Sequence, residues 1–273
     1  MKPGRGRWKP EWNLMRLGSI SYINVLPVTL GLERNQVGFH GELVRAEPSA
    51  LNAMTRAGQL DATAVSSIEY LSCWQLYRVV QGVGLSAPAA VQSVKLFSIV
   101  PIDQLPGRTV AVTRASATSR TLLQVLVPGL KVIDLEQPPQ FSEKQPAVLL
   151  IGDQALTAPP APYELDLGQA WKDKTGLPMV FAVWLCKRTL EEGPEKYLQH
   201  SREWGRQHWD QVIEESMRRT GLDAPTLEKY FGGMRYHLGE TELESLNLFY
   251  KLAAEQGLVK RPASLAEEKA WSV

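Results

Sequence analysis

The sequence has few cysteines and no excess of charge of either sign. Cys73 and Cys186 are its only two cysteines and lie far apart, which excludes a disulfide framework and fits a reduced, cytoplasmic protein. With 30 basic and 29 acidic residues, the net charge is +1. Nucleic acids and membrane surfaces are therefore not expected as partners, because the protein has no large net positive charge to attract them. Any site for an anion must be local.

The sequence also lacks the long apolar runs and ligand clusters that mark other classes of protein. No run is long enough to span a membrane, and residues 1–13 are basic without the apolar centre of a signal peptide, so we predict a flexible tail there. The four histidines form no zinc-type spacing, and no glycine-rich phosphate loop is present. We therefore expect neither a metal nor an organic cofactor.

The most informative segment that is present covers residues 17–27. An apolar run at 14–17 predicts a first strand, and a helix is predicted to follow, with Asn24 as N-cap and Pro27 in its first turn. Such a turn directs hydroxyls and backbone N–H groups at one spot, where open α/β sheets bind ligands. A helix N-terminus at that spot favours an anion. A simple helix cap is the alternative interpretation.

Three further segments repeat this arrangement, each joining a predicted strand to a predicted helix through small polar residues. The strands are 62–65, 109–113 and 148–151, and the residues that follow them are Ser66 and Ser67, then Ser116, Thr118 and Ser119, and then Gly152 and Asp153. Four such turns in one chain favour an anion-binding cleft between two lobes over four unrelated helix caps.

Alternating strands and helices predict an α/β protein with two lobes. Two extended segments, 93–99 and 178–185, flank a second series of strands and helices and suggest two crossings between the lobes. We predict that residues 14–100 and 179–273, including the C-terminal helices, form the first lobe. Residues 101–178 are predicted to form the second lobe.

Four motifs in this order resemble those of the chorismate dehydratases of the futalosine route to menaquinone. They are residues 18–27 (GSISYINVLP), 65–70 (VSSIEY), 115–119 (ASATS) and 151–156 (IGDQAL). The resemblance covers roughly residues 14–259. It implies the fold of type II periplasmic binding proteins. It also implies a hydro-lyase that converts chorismate into 3-((1-carboxyvinyl)oxy)benzoate without a metal or organic cofactor, as a monomer or homodimer.

With this resemblance, the polar turns become candidate binding residues for a dianion. Ser116, Thr118 and Ser119 are expected to hold a carboxylate at their helix N-terminus, and Ser66 and Ser67 are expected to act similarly. In each case the alternative is a hydroxyl that serves only its own helix. Lys95 and Arg114 are weaker candidates as counter-ions, because most single basic residues are solvated.

The first turn carries the predicted catalytic residues. Ser19 and Asn24 are expected to hold the leaving hydroxyl and the enolpyruvyl arm, and Tyr22 to line the mouth of the cleft, unless it is a core ring with a polar edge. Ser93 is predicted to border the cleft on a crossing strand. Asp153 is predicted to accept a hydrogen bond from a substrate hydroxyl, with a helix cap as its alternative.

Two other functions remain open from the sequence. The first is the sister enzyme of the same route, which makes 1,4-dihydroxy-6-naphthoate from cyclic dehypoxanthinylfutalosine and whose relatives use a histidine base. The predicted second lobe contains no histidine, which argues against it, although His40 or His237 can approach from the first lobe. The second is a small-anion-binding protein without catalytic activity.

Overall fold

The computed structural model describes residues 14–114, 116–135 and 141–260 of the chain. The described strands, in chain order, are β1 (Met15–Ile20), β2 (Gly41–Ala46), β3 (Ala62–Ser66), β4 (Tyr77–Ala87), β5 (Val94–Ser98), β6 (Thr109–Val112), β7 (Lys131–Asp134), β8 (Ala147–Ile151), β9 (Tyr163–Asp166) and β10 (Met179–Lys187). They form two sheets of five strands, ordered β2-β1-β3-β10-β4 and β7-β6-β8-β5-β9. The predicted α/β architecture with two lobes is confirmed.

The helices cover both sheets and are, in chain order, α1 (Leu26–Glu33), α2 (Pro48–Arg56), α3 (Tyr70–Cys73), α4 (Ala117–Leu126), α5 (Asp153–Thr157), α6 (Leu167–Thr175), α7 (Glu195–Gln207), α8 (Trp209–Thr220), α9 (Ala224–Gly232) and α10 (Glu240–Glu255). Side-chain caps begin several of them. Asp166 caps α6 and Asp223 caps α9, each by accepting backbone N–H groups of the first turn. None of the described helices is long and apolar enough to cross a membrane.

The two sheets share one topology. In each, three neighbouring strands run parallel, and the fourth strand, β10 or β5, runs antiparallel to the third. The parallel strands are connected through helices, so their carboxyl ends lie at one edge of each sheet. Those edges bring the polar turns of the two lobes toward each other.

The chain passes twice between the two sheets. The chain leaves the first sheet after β4 and enters the second at β5, and β10 returns it to the first. The predicted division at residues 100 and 101 falls after β5, whose hydrogen bonds join it to β8 and β9. We therefore use residues 14–87 and 179–260 as the first lobe and 94–175 as the second, with residues 88–93 as the first crossing segment.

The last helix, α10, packs on β10, the strand that returns to the first lobe. Trp171 of α6 and Phe249 of α10 meet edge to face with ring centroids 5.8 Å apart, and Trp171 Nε1 donates to Ser245 Oγ at 2.9 Å. Both rings are fully buried. Because α6 follows the second sheet and α10 covers the first, this contact holds the two lobes together behind the cleft.

Candidate active site

A small cavity lies between the lobes at the carboxyl ends of their strands. Its volume is about 50 Å³. Its wall contains six of the ten side chains predicted for the site: Tyr22, Asn24, Ser66, Ser93, Ser116 and Ser119. The structure therefore brings residues from four separate segments of the chain to one place, as the repeated turns predicted.

The first lobe contributes an amide with no protein partner. Asn24 lies in a short 3-10 turn, Ile23–Val25, that precedes α1, so the predicted role as the N-cap of that helix is wrong. A 3-10 turn inserted before the helix moves the cap position to Val25, whose side chain cannot accept a hydrogen bond. The buried Oδ1 of Asn24 has no hydrogen-bond partner among the described residues. Because an unpaired buried polar atom is costly, this oxygen is available to accept a hydrogen bond from a ligand.

Tyr22 lies beside Asn24 in the same wall. Burial raises the pKa of its phenol, and a hydrogen bond to Glu47 raises that pKa further. The exposed Glu47 also accepts a hydrogen bond from Ser21 Oγ at 3.0 Å. Tyr22 thus stays protonated at neutral pH, and its hydroxyl is bound to a carboxylate at the mouth of the cavity.

The second lobe contributes the N-terminus of α4. Ser116 caps this helix by accepting the backbone N–H of Ser119 at 3.2 Å, and the two hydroxyl oxygens lie 2.9 Å apart. Both side chains line the cavity. The helix dipole and the hydroxyl pair together favour an anionic group here.

Ser93 enters the cavity from the first crossing segment. Its carbonyl accepts the backbone N–H of Gly152 at 2.8 Å, and its hydroxyl is hydrogen-bonded to the buried phenol of Tyr230. Burial raises the pKa of Tyr230, and the bond from Ser93 lowers it. Gly152, which has a φ of +58°, also lines the cavity. A side chain would strain this turn, so glycine suits the position.

Ser67 and Thr118 lie outside the cavity, in the contact between the lobes. Thr118 Oγ1 accepts the backbone N–H of Ile68 at 3.1 Å and lies 3.1 Å from Ser67 Oγ. Ser67 Oγ in turn donates to the carbonyl of Val180 at 2.8 Å. Both hydroxyls are fully buried and already partnered. This geometry favours the alternative interpretation, in which they serve the protein and not a ligand.

Ser19 and Asp153 also lie outside the wall. Ser19 precedes Ile20 on β1, and because side chains alternate along a strand, it faces away from the cavity that Ile20 lines. Its buried hydroxyl has no partner among the described residues. Asp153 is exposed in the first turn of α5, yet the surrounding protein raises the pKa of its carboxyl by desolvation.

Among the described residues, none with a charged side chain lines the cavity. The two basic residues considered as counter-ions are already paired, because Lys95 Nζ lies 3.3 Å from Glu164 and Arg114 lies 2.8 Å from Asp134. Nor does any group of three or more His, Cys, Asp or Glu residues suited to a metal occur in the described part of the chain. The wall offers an anion only neutral donors: hydroxyls, an amide and backbone N–H groups.

One known protein family matches this chain over most of its length. The sequence model of the menaquinone biosynthesis family matches residues 15–255. The chain belongs to this family. A chorismate dehydratase of Thermus thermophilus is 31% identical in an alignment 259 positions long, which covers 85% of this chain and 93% of that protein. The family resemblance of the four sequence motifs is thereby confirmed.

Solved structures confirm the predicted fold of this family member. A crystal structure of an Archaeoglobus fulgidus protein matches with a TM-score of 0.74 at 20% identity, over 91% of this chain and 100% of that one. The periplasmic aliphatic sulphonate binding protein of Escherichia coli matches with a TM-score of 0.62 at 15% identity, over 90% and 94%. At these identities the likeness establishes the periplasmic-binding-protein fold alone.

Sequence reasoning missed the apolar part of the wall. It consists of Ile20, Pro48, Leu85, Val94, Ile151, Phe181 and Ala182. Most of these residues lie within or at the ends of strands whose other side chains form the core, so no local signal distinguishes them. Only the position at a strand's carboxyl end, as for Ile20 and Ile151, could have indicated the cavity.

Proposed function

We propose that this protein eliminates water from chorismate to give 3-((1-carboxyvinyl)oxy)benzoate in menaquinone biosynthesis. The observation that carries the proposal is the cavity between the lobes, whose wall contains both the unpaired amide oxygen of Asn24 and the hydroxyl pair of Ser116 and Ser119. It occurs in a chain that matches a chorismate dehydratase over most of its length.

The chemistry of this elimination suits a site made of neutral donors. Chorismate carries two carboxylates and a ring hydroxyl, and loss of that hydroxyl with a ring proton makes the ring aromatic. The reaction is therefore downhill, and the protein must mainly hold the substrate in the reactive geometry and suppress competing reactions. Fixed N–H and O–H dipoles can do this in a site that excludes water.

The small volume of the cavity implies that the lobes separate to admit a substrate. About 50 Å³ holds only a few water molecules, which is less than chorismate requires. We therefore propose that ligand binding and lobe closure are coupled. Closure brings the α4 N-terminus of the second lobe against Asn24 and Ser66 of the first.

For the proton transfer, we propose that the carboxylate of the enolpyruvyl arm is the base. It takes the ring proton, and the C–H electron pair forms the new double bond of the ring as the C–O bond breaks. The carboxyl group then passes this proton to the departing hydroxyl, which leaves as water and restores the carboxylate. Asn24 holds the arm in this scheme. A contact from Ser19 to the leaving hydroxyl, as the sequence predicts, requires a local change in β1, because Ile20 and not Ser19 faces the cavity.

Single replacements of the protein's own candidate bases test this proton transfer. Asp153, Glu69, His40 and His237 all lie outside the cavity wall. We expect each replacement to leave turnover within about tenfold of the wild type, a loss smaller than the roughly 10²–10⁴ that general acid or base catalysis contributes. A variant that binds chorismate but has lost turnover would identify a base in the protein and exclude the substrate's carboxylate.

The function itself is tested by incubating the purified protein with chorismate. We expect the absorbance of the cyclohexadiene to be replaced by that of a benzoate, with a product lighter than chorismate by one water. We also expect turnover to survive EDTA, and rescue of a chelated enzyme by a divalent ion would contradict that part alone. Binding of chorismate without conversion would indicate an anion-binding protein, and conversion of cyclic dehypoxanthinylfutalosine would indicate the sister enzyme.

A further inference from the structure

The first crossing segment, residues 88–93, is held by one carboxylate of the second lobe. Asp166, at the end of β9, accepts four backbone N–H groups. Two of them, from Gly168 at 3.0 Å and Gln169 at 3.1 Å, belong to the first turn of α6. The other two come from Val91 at 3.0 Å and Gln92 at 2.7 Å, in the crossing segment.

Capping of α6 explains only half of these bonds. A helix cap needs one side-chain acceptor for the N–H groups of the second and third residues. Asp223, which caps α9, illustrates this, because its carboxylate accepts the N–H of Thr226 at 3.0 Å and no other backbone N–H among the hydrogen bonds of the described residues. The bonds from Val91 and Gln92 therefore give Asp166 a second role that a helix cap does not require.

The backbone that Asp166 holds is tightly enclosed. Gln92 has a φ of +64°, a conformation that a non-glycine residue adopts only when its surroundings impose it. A Cβ atom at Gly168 would lie 2.5 Å from the carbonyl oxygen of Ala89, so the first turn of α6 touches the crossing segment directly. On the opposite side, a Cβ atom at Gly233 would lie 3.0 Å from the carbonyl oxygen of Ala90.

The residue that follows Gln92 belongs to the cavity wall. The hydroxyl and carbonyl of Ser93 reach Tyr230 and the N–H of Gly152, respectively, and both Ser93 and Gly152 line the cavity. A shift of the crossing segment would therefore move two parts of the wall at once. Neither Asp166 nor Gln92 lines the cavity itself.

We propose that Asp166 is a positioning residue, which fixes the crossing segment so that Ser93 and the Gly152 turn face the ligand. Its effect on catalysis rests on the proposed function, whereas its effect on the crossing segment does not. A carboxylate suits this role because its two oxygen atoms offer about four acceptor positions, whereas a hydroxyl oxygen offers about two.

The same substitution at two helix caps separates positioning from capping. Asp166→Ser keeps a good N-cap for α6 but lacks the second oxygen that reaches Gln92, and Asp223→Ser is the matched control at α9. We expect both variants to unfold within a few degrees of the wild type. We expect Asp166→Ser to bind the benzoate product about tenfold more weakly, which corresponds to about 1.4 kcal/mol, with a lower kcat/KM, and Asp223→Ser to bind it as the wild type does.

Hydrogen exchange of the Gly152 amide gives a readout that does not depend on the reaction. We expect this amide, and those of Val91 and Gln92, to exchange faster in Asp166→Ser than in Asp223→Ser. If the wild type does not convert chorismate, the proposed function fails, and this exchange alone decides the positioning role. If the two serine variants have equal amide exchange rates and equal affinities for the product, the positioning role is excluded and Asp166 is a helix cap only. If Asp166→Ser does not fold, Asp166→Asn decides on the same criteria, since it replaces one oxygen and keeps the shape.

Discussion

Two pairs of hydroxyls at the start of helices have different surroundings in this protein. Ser116 and Ser119 bond to each other and line the cavity, whereas Ser67 and Thr118 lie buried in the contact between the lobes. Thr118 and Ser119 are neighbours on α4, and successive residues of a helix with 3.6 residues per turn point about 100° apart. One turn of helix therefore serves the ligand with one side chain and the lobe contact with the next.

This difference shows that the neighbouring residues, and not the position near a helix N-terminus, decide whether such a hydroxyl binds a ligand or another part of the protein. Thr118 has Ile68 and Ser67 within 3.1 Å, and both belong to the first lobe. Tyr250 supports the same turn by donating to the carbonyl of Ser67 at 2.6 Å. The buried pair thus links α4 to the first lobe and fixes where the cavity pair stands.

The largest loss of activity is expected at Asn24, because its replacement changes the cavity and not the contact between the lobes. We expect Asn24→Ala to lower kcat by about 10²–10³, the usual loss when one side-chain amide that binds the transition state is removed. The melting temperature should change little, because the amide oxygen has no partner to lose. Asn247→Ala, in a separate groove on the first lobe, is the control and should keep its activity. Turnover of Asn24→Ala within about tenfold of the wild type would contradict the proposed role.

The second effect compares the neighbours on α4 directly. Ser119→Ala should weaken product binding about tenfold, because a hydrogen bond to a carboxylate contributes about 1.5–3 kcal/mol. Thr118→Val should instead lower stability by about 1–3 kcal/mol, because it leaves the buried N–H of Ile68 unpaired. Product titrations and thermal unfolding of both variants measure this. If Thr118→Val weakens binding at an unchanged melting temperature, Thr118 binds a carboxylate, as the sequence alone predicts.

The smallest effect, a change in stability with pH, is expected at Asp153, which neither lines the cavity nor joins the hydroxyl contact between the lobes. Since desolvation raises the pKa of its carboxyl, the charged form is disfavoured in the folded state. The resulting destabilisation is absent below the ordinary aspartate pKa of about 3.9 and appears as the pH rises through the raised value. Asp153→Asn should therefore be slightly more stable than the wild type at neutral pH but not in acid. Unfolding in urea across this pH range tests it, and a more stable wild type at neutral pH would contradict it.

The sequence predicts the location of the site better than the role of each residue in it. Ser66 and Ser93 reach the cavity because they flank strand ends, and Ser116 and Ser119 because they lie at the start of the helix that follows β6, positions that a sequence pattern reveals. It does not reveal that Ser67, one residue further, turns into the lobe contact, since this depends on the 3-10 turn that begins there.

Non-local contacts account for what the sequence did not predict. Asp166 is recognisable as a helix cap, but its bonds to Val91 and Gln92 span about 75 residues of chain, which no local pattern encodes. The positions of Leu85 and Phe181 in the apolar wall could not be predicted either, because their strands are apolar along most of their length and therefore predict core residues throughout. The predicted boundary at residue 100 places β5 in the first lobe, whereas β5 pairs with β8 of the second sheet. This pairing is also a non-local contact.

A crystal structure of the protein with the benzoate product tests the central claim most directly. The account predicts the product between Asn24 and Ser66 of the first lobe and Ser116 and Ser119 of the second, with the Thr118 hydroxyl still bonded to the N–H of Ile68. A product carboxylate bonded to Thr118 would contradict the division between the two hydroxyl pairs. A product bound elsewhere, as in the open groove beside His237, would contradict the assignment of the cavity as the active site.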